Sequence, residues 1–235
     1  MLVEKDVDYE RYIRLRAVSK KLNEELTRRL QKKEIYRCGK DLGLLRKKTL
    51  VFSSDDDVGV LMDYCINNSS GKKSCIGLYI EQSSFEQVSD EMMMLRALRE
   101  SFFSICQVHR TEKGYLCYAE DILRQQRVAL ADVGFGSSAV PGVLIAARLM
   151  KMPASNYYMT TGAPVPIREK WAIDAVGTIL RKFTHPIESG NLSNTQANSL
   201  GKQVIRLLLR QDNENTRLAD PEEHEQALRQ SHFGH

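Results

Sequence analysis

Between Asp8 and Lys33 the chain holds neither glycine nor proline, and apolar residues recur at Leu15, Val18, Leu22, Leu26 and Leu30. Steps of three and four place them on one face of an α-helix. Roughly a third of a turn away stands a basic stripe of Arg14, Lys21, Arg28 and Lys32. A second short apolar segment follows, and Gly43 with the run Arg46-Lys47-Lys48 ends this helical region. Thr49 to Phe52 reads as a strand. The run Ser53 to Asp57 then leads into the apolar segment Val58 to Ile66. Serine and aspartate accept hydrogen bonds from the free N–H groups of a helix start and suit its dipole, so this segment is expected to be a helix. Asn67 to Lys73 reads as a loop, and a short helix is expected over Cys75 to Glu81. Another opens at Ser89, with Met92, Met93, Met94, Leu95 and Leu98 on its buried side. Met92 stands where a full capping box would carry glutamate, while Asp90 and Glu91 still favour a helix start.

Past Glu100 the period changes. Phe102 to His109, Tyr115 to Ala119, Arg127 to Val133, Val143 to Leu149 and Tyr157 to Thr160 are β-prone and separated by polar, glycine or proline turns. Gly134 to Ser138 reads as one of those loops. Short strands at close, even spacing predict a small antiparallel barrel or sandwich. Helical periodicity returns after Pro166, with Trp171, Ala175, Ile179 and Phe183 on one face and a stop at Pro186 and Gly190. A last helix, capped within Asn191 to Asn194, carries Leu200, Val204, Leu207 and Leu208. The expected architecture is therefore α+β. It comprises a mainly helical region with one short strand over 1–100, an antiparallel β-barrel over 101–163, C-terminal helices over 164–210 and a mobile polar tail over 211–235.

Composition narrows the classes. The chain has 235 residues, 42% hydrophobic and 27% charged, with no apolar run near the ~18 residues a membrane-spanning helix needs. No membrane partner is expected, and the N-terminus lacks the apolar stretch of a signal peptide. Net charge is +4, too little to imply nucleic acid by itself, but residues 1–50 hold 15 basic and 8 acidic side chains. The positive excess is thus N-terminal. Cys38, Cys65, Cys75, Cys106 and Cys117 form no CxxC and no zinc-ligand spacing with histidine, which suggests reduced structural thiols in a cytoplasmic protein.

The order of a basic helix, CGKDLGLLRKKTLVFSSDDDVGVLMDYCI, SDEMMMLRAL and a barrel ending VPGVLIAARL resembles a poorly characterised bacterial family, over about residues 10–165. In some relatives a similar barrel segment occurs in chains bearing a SecA-type zinc-binding tail (SEC-C). The CxC…CC pattern of that tail does not occur here, so no zinc function carries over. The resemblance implies an α+β architecture and no particular activity.

Candidate chemistry is sparse. Gly134-Phe135-Gly136-Ser137-Ser138-Ala139 fits GxGxxA after a β-prone stretch, but Pro141-Gly142 and a further β-prone segment follow. A dinucleotide site needs a helix there. A glycine-rich connection between strands accounts for the residues, and no cofactor is expected. Asp55, Asp56 and Asp57 carry enough carboxylates to suggest a divalent cation. Helix capping explains them without one, so no metal is expected. Cys106 and His109 leave opposite faces of a strand and make a poor nucleophile pair. His185 precedes Pro186 in a helix-ending turn, and His224, His232 and His235 lie in the tail. No catalytic residue can be named.

The strongest lead is the basic stripe. Arg14, Lys21, Arg28 and Lys32 can neutralise phosphates, with Tyr157 and Tyr158 on a barrel strand available to stack on unpaired bases. Glu24, Glu25 and Glu34 interrupt it, and a charged helix face is usually just solvated. The expected function is a non-enzymatic protein-interaction or scaffold module with an unidentified protein partner and an unassigned oligomeric state. RNA binding through the stripe and barrel is the alternative, and a hydrolase or nucleotide-binding enzyme a third reading.

Overall fold

A computed structural model describes residues 6–68 and 74–218, with side chains to Arg210. The chain opens with α1 (Val7–Arg29), capped by Asp6, whose carboxylate accepts the Tyr9 N–H. Where the apolar stripe predicts one helix to Lys33, the structure breaks at Leu30. That residue is extended, buried, and donates its N–H to the Thr27 carbonyl. Gln31 then starts α2 (Lys32–Leu42), which ends at left-handed Gly43. Lys32 therefore belongs to a different helix from Arg14, Lys21 and Arg28.

The expected strand Thr49 to Phe52 is a two-residue hairpin instead, β1 (Leu45–Arg46) against β2 (Thr49–Leu50). Its turn is Lys47-Lys48, with φ of 44° and 68°. Tight hairpin turns of this hand need positive φ at both central positions, which lysine rarely adopts. The pattern of apolar residues gave no sign of it.

Serine caps the next three helices. Ser54 accepts the Asp57 N–H at the start of α3 (Asp55–Asn67), Ser74 that of Gly77 at α4 (Cys75–Gln82), and Ser89 that of Met92 at α5 (Asp90–Arg99). Buried Asp57 turns back to accept the Ser53 N–H at 2.8 Å and the Ser54 hydroxyl at 3.1 Å. Its carboxylate is thus part of the cap.

The central sheet follows as β3 (Phe102–Glu112), β4 (Leu116–Asp121), β5 (Gln126–Ala131), β6 (Leu144–Lys151), β7 (Tyr158–Thr160) and β8 (Val165–Ile167). Strands β3, β4, β5, β7 and β6 pair in that order and β6 closes back on β3, giving a five-strand barrel, with β8 added along β6. One pair departs from the antiparallel expectation. β7 runs parallel to β5, because the intervening chain makes a helix and β6 before β7 returns beside β5. The barrel is mixed. Alternation along each strand sends Cys106, Val108, Cys117, Ala119, Val128, Leu130, Ile145, Ala147 and Leu149 inward. Buried Asp121 also points in, where it accepts the Ser104 hydroxyl and the Leu123 and Arg124 N–H groups.

The glycine-rich segment expected as a loop forms α6 (Val133–Ser138), capped by Asp132. A Cβ on Gly136 would lie 2.3–2.5 Å from the Tyr115 backbone, so this glycine lets α6 sit directly on the barrel. That close approach accounts for the GxGxxA match, and the six-residue helix turns into Pro141-Gly142 as the sequence requires.

The C-terminal region is α7 (Lys170–Arg181), α8 (Thr184–Glu188) and α9 (Asn194–Leu218). α7 buries Ala172 and Val176, and Trp171 is exposed, so the buried face is one residue out of phase with the expected stripe. Pro186 sits in the first turn of α8, and Gly190, at φ 67°, ends it. The backbone of α9 continues past the expected end at residue 210, and the rest of the expected tail, 219–235, lies outside the described residues. Two outer layers clasp the barrel. Leu15, Leu22, Leu26, Leu61, Leu95 and Leu98 pack with Leu116, Ala131, Met150 and Met159 on one side. Phe103, Ile105 and Ala146 pack with Val176, Leu200 and Val204 on the other.

Candidate functional site

α1 has two apolar surfaces. Leu15, Leu22 and Leu26 enter the core, while Tyr9 and Ile13 are 41% and 45% exposed. This second surface and Ala17 face α3 across an open groove of about 940 Å³. The far wall is Gly59, Met62, Asp63 and Ile66, and the barrel supplies Thr161, Gly162 and Ala163, with Val133 at one end. The groove exists because small residues line it. A Cβ on Gly59 would meet nothing closer than Ala163 at 3.9 Å, and one on Gly162 would reach the Asn23 amide at 3.4 Å.

Its polar groups fix the walls. The Arg16 guanidinium donates to the Thr160 carbonyl at 2.6 Å, the Thr160 hydroxyl at 3.0 Å and the Asp132 carboxylate at 3.2 Å. Asp132 also accepts the Thr160 hydroxyl at 3.0 Å and caps α6, so one buried carboxylate joins α1, β5, α6 and β7. Asn23 donates to the Thr161 carbonyl at 2.7 Å, and the Thr161 hydroxyl donates to Asp63 at 2.6 Å. Burial pushes the Asp63 carboxyl above its ordinary range, against the opposing pull of Arg148 and the Thr161 hydrogen bond. The Ser19 hydroxyl, at the groove and buried, has no hydrogen-bond partner among the described residues. Tyr12 accepts the Val133 N–H at 3.2 Å, which seats α6 against α1.

The residues expected to contact nucleic acid divide. Arg14, Lys21 and Arg28 share a face of α1, seven residues apart, and Arg28 borders the groove. Arg14 is tied to Asp90 at 3.1 Å, and Arg28 to Glu25 and Glu24. Lys20 and Lys21 have no carboxylate within ion-pair distance among the described residues. Lys32, on α2, stands over the Tyr36 ring at 5.8 Å. Tyr157 and Tyr158 are half-buried neighbours on alternating faces. Tyr157 packs with the N-terminal helices, while the Tyr158 ring meets the edge of Phe102 at 5.9 Å and lies under the Lys151 ammonium at 4.7 Å. The structure therefore does not bring the two rings into one stacking platform.

Cys106 and His109 do not meet as a nucleophile pair. Cys106 lies inside the barrel and exposed His109 outside it, beside Glu120. Burial pushes the Cys106 thiol up to about 12 and Cys117 up to about 11. Both are neutral near pH 7 and inert as nucleophiles. The groove residues Gly59, Asp63, Thr161 and Gly162 were not singled out by the sequence. The available signals were a glycine inside a helical pattern and two apolar residues, Tyr9 and Ile13, off the core stripe.

Barrel, helical layers and groove define an α+β protein built around a small mixed barrel with an open apolar trough on its N-terminal helices. The chain belongs to a family of unknown function (DUF7986), whose model matches residues 6–199. That span takes in the whole groove and barrel. No curated protein and no solved structure matches the chain.

Proposed function

We propose that this is a cytoplasmic, non-enzymatic interaction module whose α1–α3 groove takes an acidic amphipathic helix of a partner protein. The groove itself is the observation that carries this reading. From Tyr9 to Arg28, α1 supplies a wall about 28 Å long at 1.5 Å per residue. A helix of that length and about 10 Å diameter fills about 2,200 Å³, more than twice the 940 Å³ of the groove. The trough therefore accepts one row of side chains and leaves the rest of the helix outside, as helix-in-groove recognition does. Exposed apolar residues gathered along one trough mark such surfaces. Lys20, which lines the groove and has no carboxylate within ion-pair distance among the described residues, favours a partner carrying glutamate or aspartate beside its apolar row. The resemblance of the barrel segment to that of SEC-C-bearing chains adds no activity to this reading. For the RNA alternative, the stripe is weaker than expected, since Arg14 and Arg28 already meet carboxylates.

The test is fluorescence anisotropy with a labelled helical peptide bearing leucines at i, i+4, i+7 and i+11 and glutamates between them. A lysine version of the peptide and a single-stranded RNA serve as comparators. The acidic peptide is expected to bind with a Kd of about micromolar order and to lose binding when Gly59→Leu fills the trough. Failure of the acidic peptide, combined with RNA retention that is lost on reversing Arg14, Lys21 and Arg28 to glutamate, overturns the proposal in favour of RNA.

A further inference from the structure

A second cavity is lined in part by Arg148, whose charge is supported by Asp63 of the groove wall. It measures about 180 Å³, and its polar lining comes from Asn67, Ser74, Arg99, Ser101, Arg148, Asn194 and Asn198, with the Ser101 hydroxyl donating to Asn67 Oδ1 at 3.3 Å. Among the described residues, both charged residues in that lining are arginines and none is a carboxylate. Arg99 is exposed and has no ion-pair partner among the described residues. Arg148 donates to the Ser101 carbonyl at 3.2 Å and to the Asn198 side-chain oxygen at 3.4 Å. Those two bonds set the plane of the guanidinium and use two of its five N–H donors.

The backbone adds to the same charge. α4, capped by Ser74, and the long α9 both begin at this cavity. A reciprocal cap fixes the start of α9, with Ser193 Oγ accepting the Gln196 N–H at 3.2 Å and Gln196 Oε1 accepting the Ser193 N–H at 3.0 Å. Each helix start directs partial positive charge outward. Ser74 Oγ accepts the Gly77 N–H, which leaves its own hydrogen free to donate. Donors from four segments thus converge on one small space.

We infer that the Arg99–Arg148 cavity binds a phosphate-sized oxyanion, either inorganic phosphate or the phosphoryl group of a small phosphomonoester. Two guanidiniums, serine and asparagine donors and two helix starts form the kind of environment that recognises such a group. At ~30 Å³ per water, the cavity holds a tetrahedral oxyanion with a few waters and is too small for a drug-sized ligand. Burial works against the Arg148 charge, with Arg124 opposing it and Asp63 supporting it. A bound dianion adds the missing compensation on the open side. This site is separate from the groove and does not depend on how the groove is used.

The test uses calorimetry and thermal unfolding of the full chain at constant ionic strength, with inorganic phosphate in one arm and adenosine monophosphate in the other. Saturable binding that raises Tm is expected in at least one arm. Binding in both assigns free phosphate as sufficient, and binding of the nucleotide alone assigns the phosphomonoester. Arg99→Gln removes an exposed charge without touching the core and is expected to weaken binding about tenfold or more. Arg148→Gln is expected to abolish it, with circular dichroism reporting whether that variant folds. No saturable binding in either arm up to millimolar ligand, or unchanged affinity in Arg99→Gln, overturns the inference.

Discussion

Replacing Gly59 by alanine should make the protein more stable. Gly59 lies in the interior of α3, is exposed, and would place a Cβ 3.9 Å from Ala163, ordinary van der Waals distance. Glycine costs a helix interior about 0.8–1.0 kcal/mol relative to alanine, mainly through backbone entropy. With no steric penalty to offset it, Gly59→Ala should gain close to that amount, or about 2–4 °C in Tm for a chain of this size. Gly59→Leu keeps most of the gain, because leucine is nearly as good a helix former, while its side chain enters the trough and should remove peptide binding. Gly177 in α7 is the control. Its added Cβ would meet only the Arg181 guanidinium, at 3.9 Å, so Gly177→Ala should stabilise without affecting the groove. Differential scanning fluorimetry and peptide anisotropy on the three variants read both effects. A destabilised Gly59→Ala would refute the packing argument, and a stabilised Gly59→Leu that still binds the peptide would refute the role of the groove.

Asp132→Ala removes the carboxylate shared by Arg16, Thr160 and the α6 cap. It should cost about 3 kcal/mol in urea unfolding, since a guanidinium and a hydroxyl lose their partner, and a loss under about 1 kcal/mol would show that the tie is not structural. Asp63 has a raised folded pKa because of burial, so its neutral form is favoured on folding and stability falls as pH rises above the unfolded value of about 3.9. Asp63→Asn should therefore gain stability relative to wild type as pH rises above about 4, and parallel urea-midpoint profiles for the two proteins would contradict this. Gly136→Ala drives a methyl group into the Tyr115 backbone and should cost about 2–3 kcal/mol or more. A variant of wild-type stability would mean that α6 can lift from the barrel.

The sequence carried those parts of the fold that rest on simple periodicity and capping. Alternation located β3 to β7, and Ser54, Ser74 and Ser89 cap helices close to where the pattern starts them. What it missed depended on contacts between distant residues. The extended Leu30 interrupts a run without glycine or proline. The Lys47-Lys48 turn uses residues that seldom adopt positive φ. The parallel β5–β7 pair reflects how the barrel closes, which no strand records alone. The basic stripe was legible as a pattern, yet the partners that neutralise Arg14 and Arg28 were not. The groove was hidden for a similar reason. Tyr9 and Ile13 look like stray surface residues until Gly59, Gly162 and Ala163 leave the space beside them open.

The most direct test of the groove is a titration of the isotope-labelled protein with the acidic amphipathic peptide, followed by amide and methyl NMR. Perturbations should cluster at Ile13, Ala17, Gly59, Met62, Thr161 and Gly162, which line the two walls and the floor. Shifts confined to the outer face of α1 around Arg14 and Lys21, or to the barrel strands, with those groove signals unmoved, would contradict it.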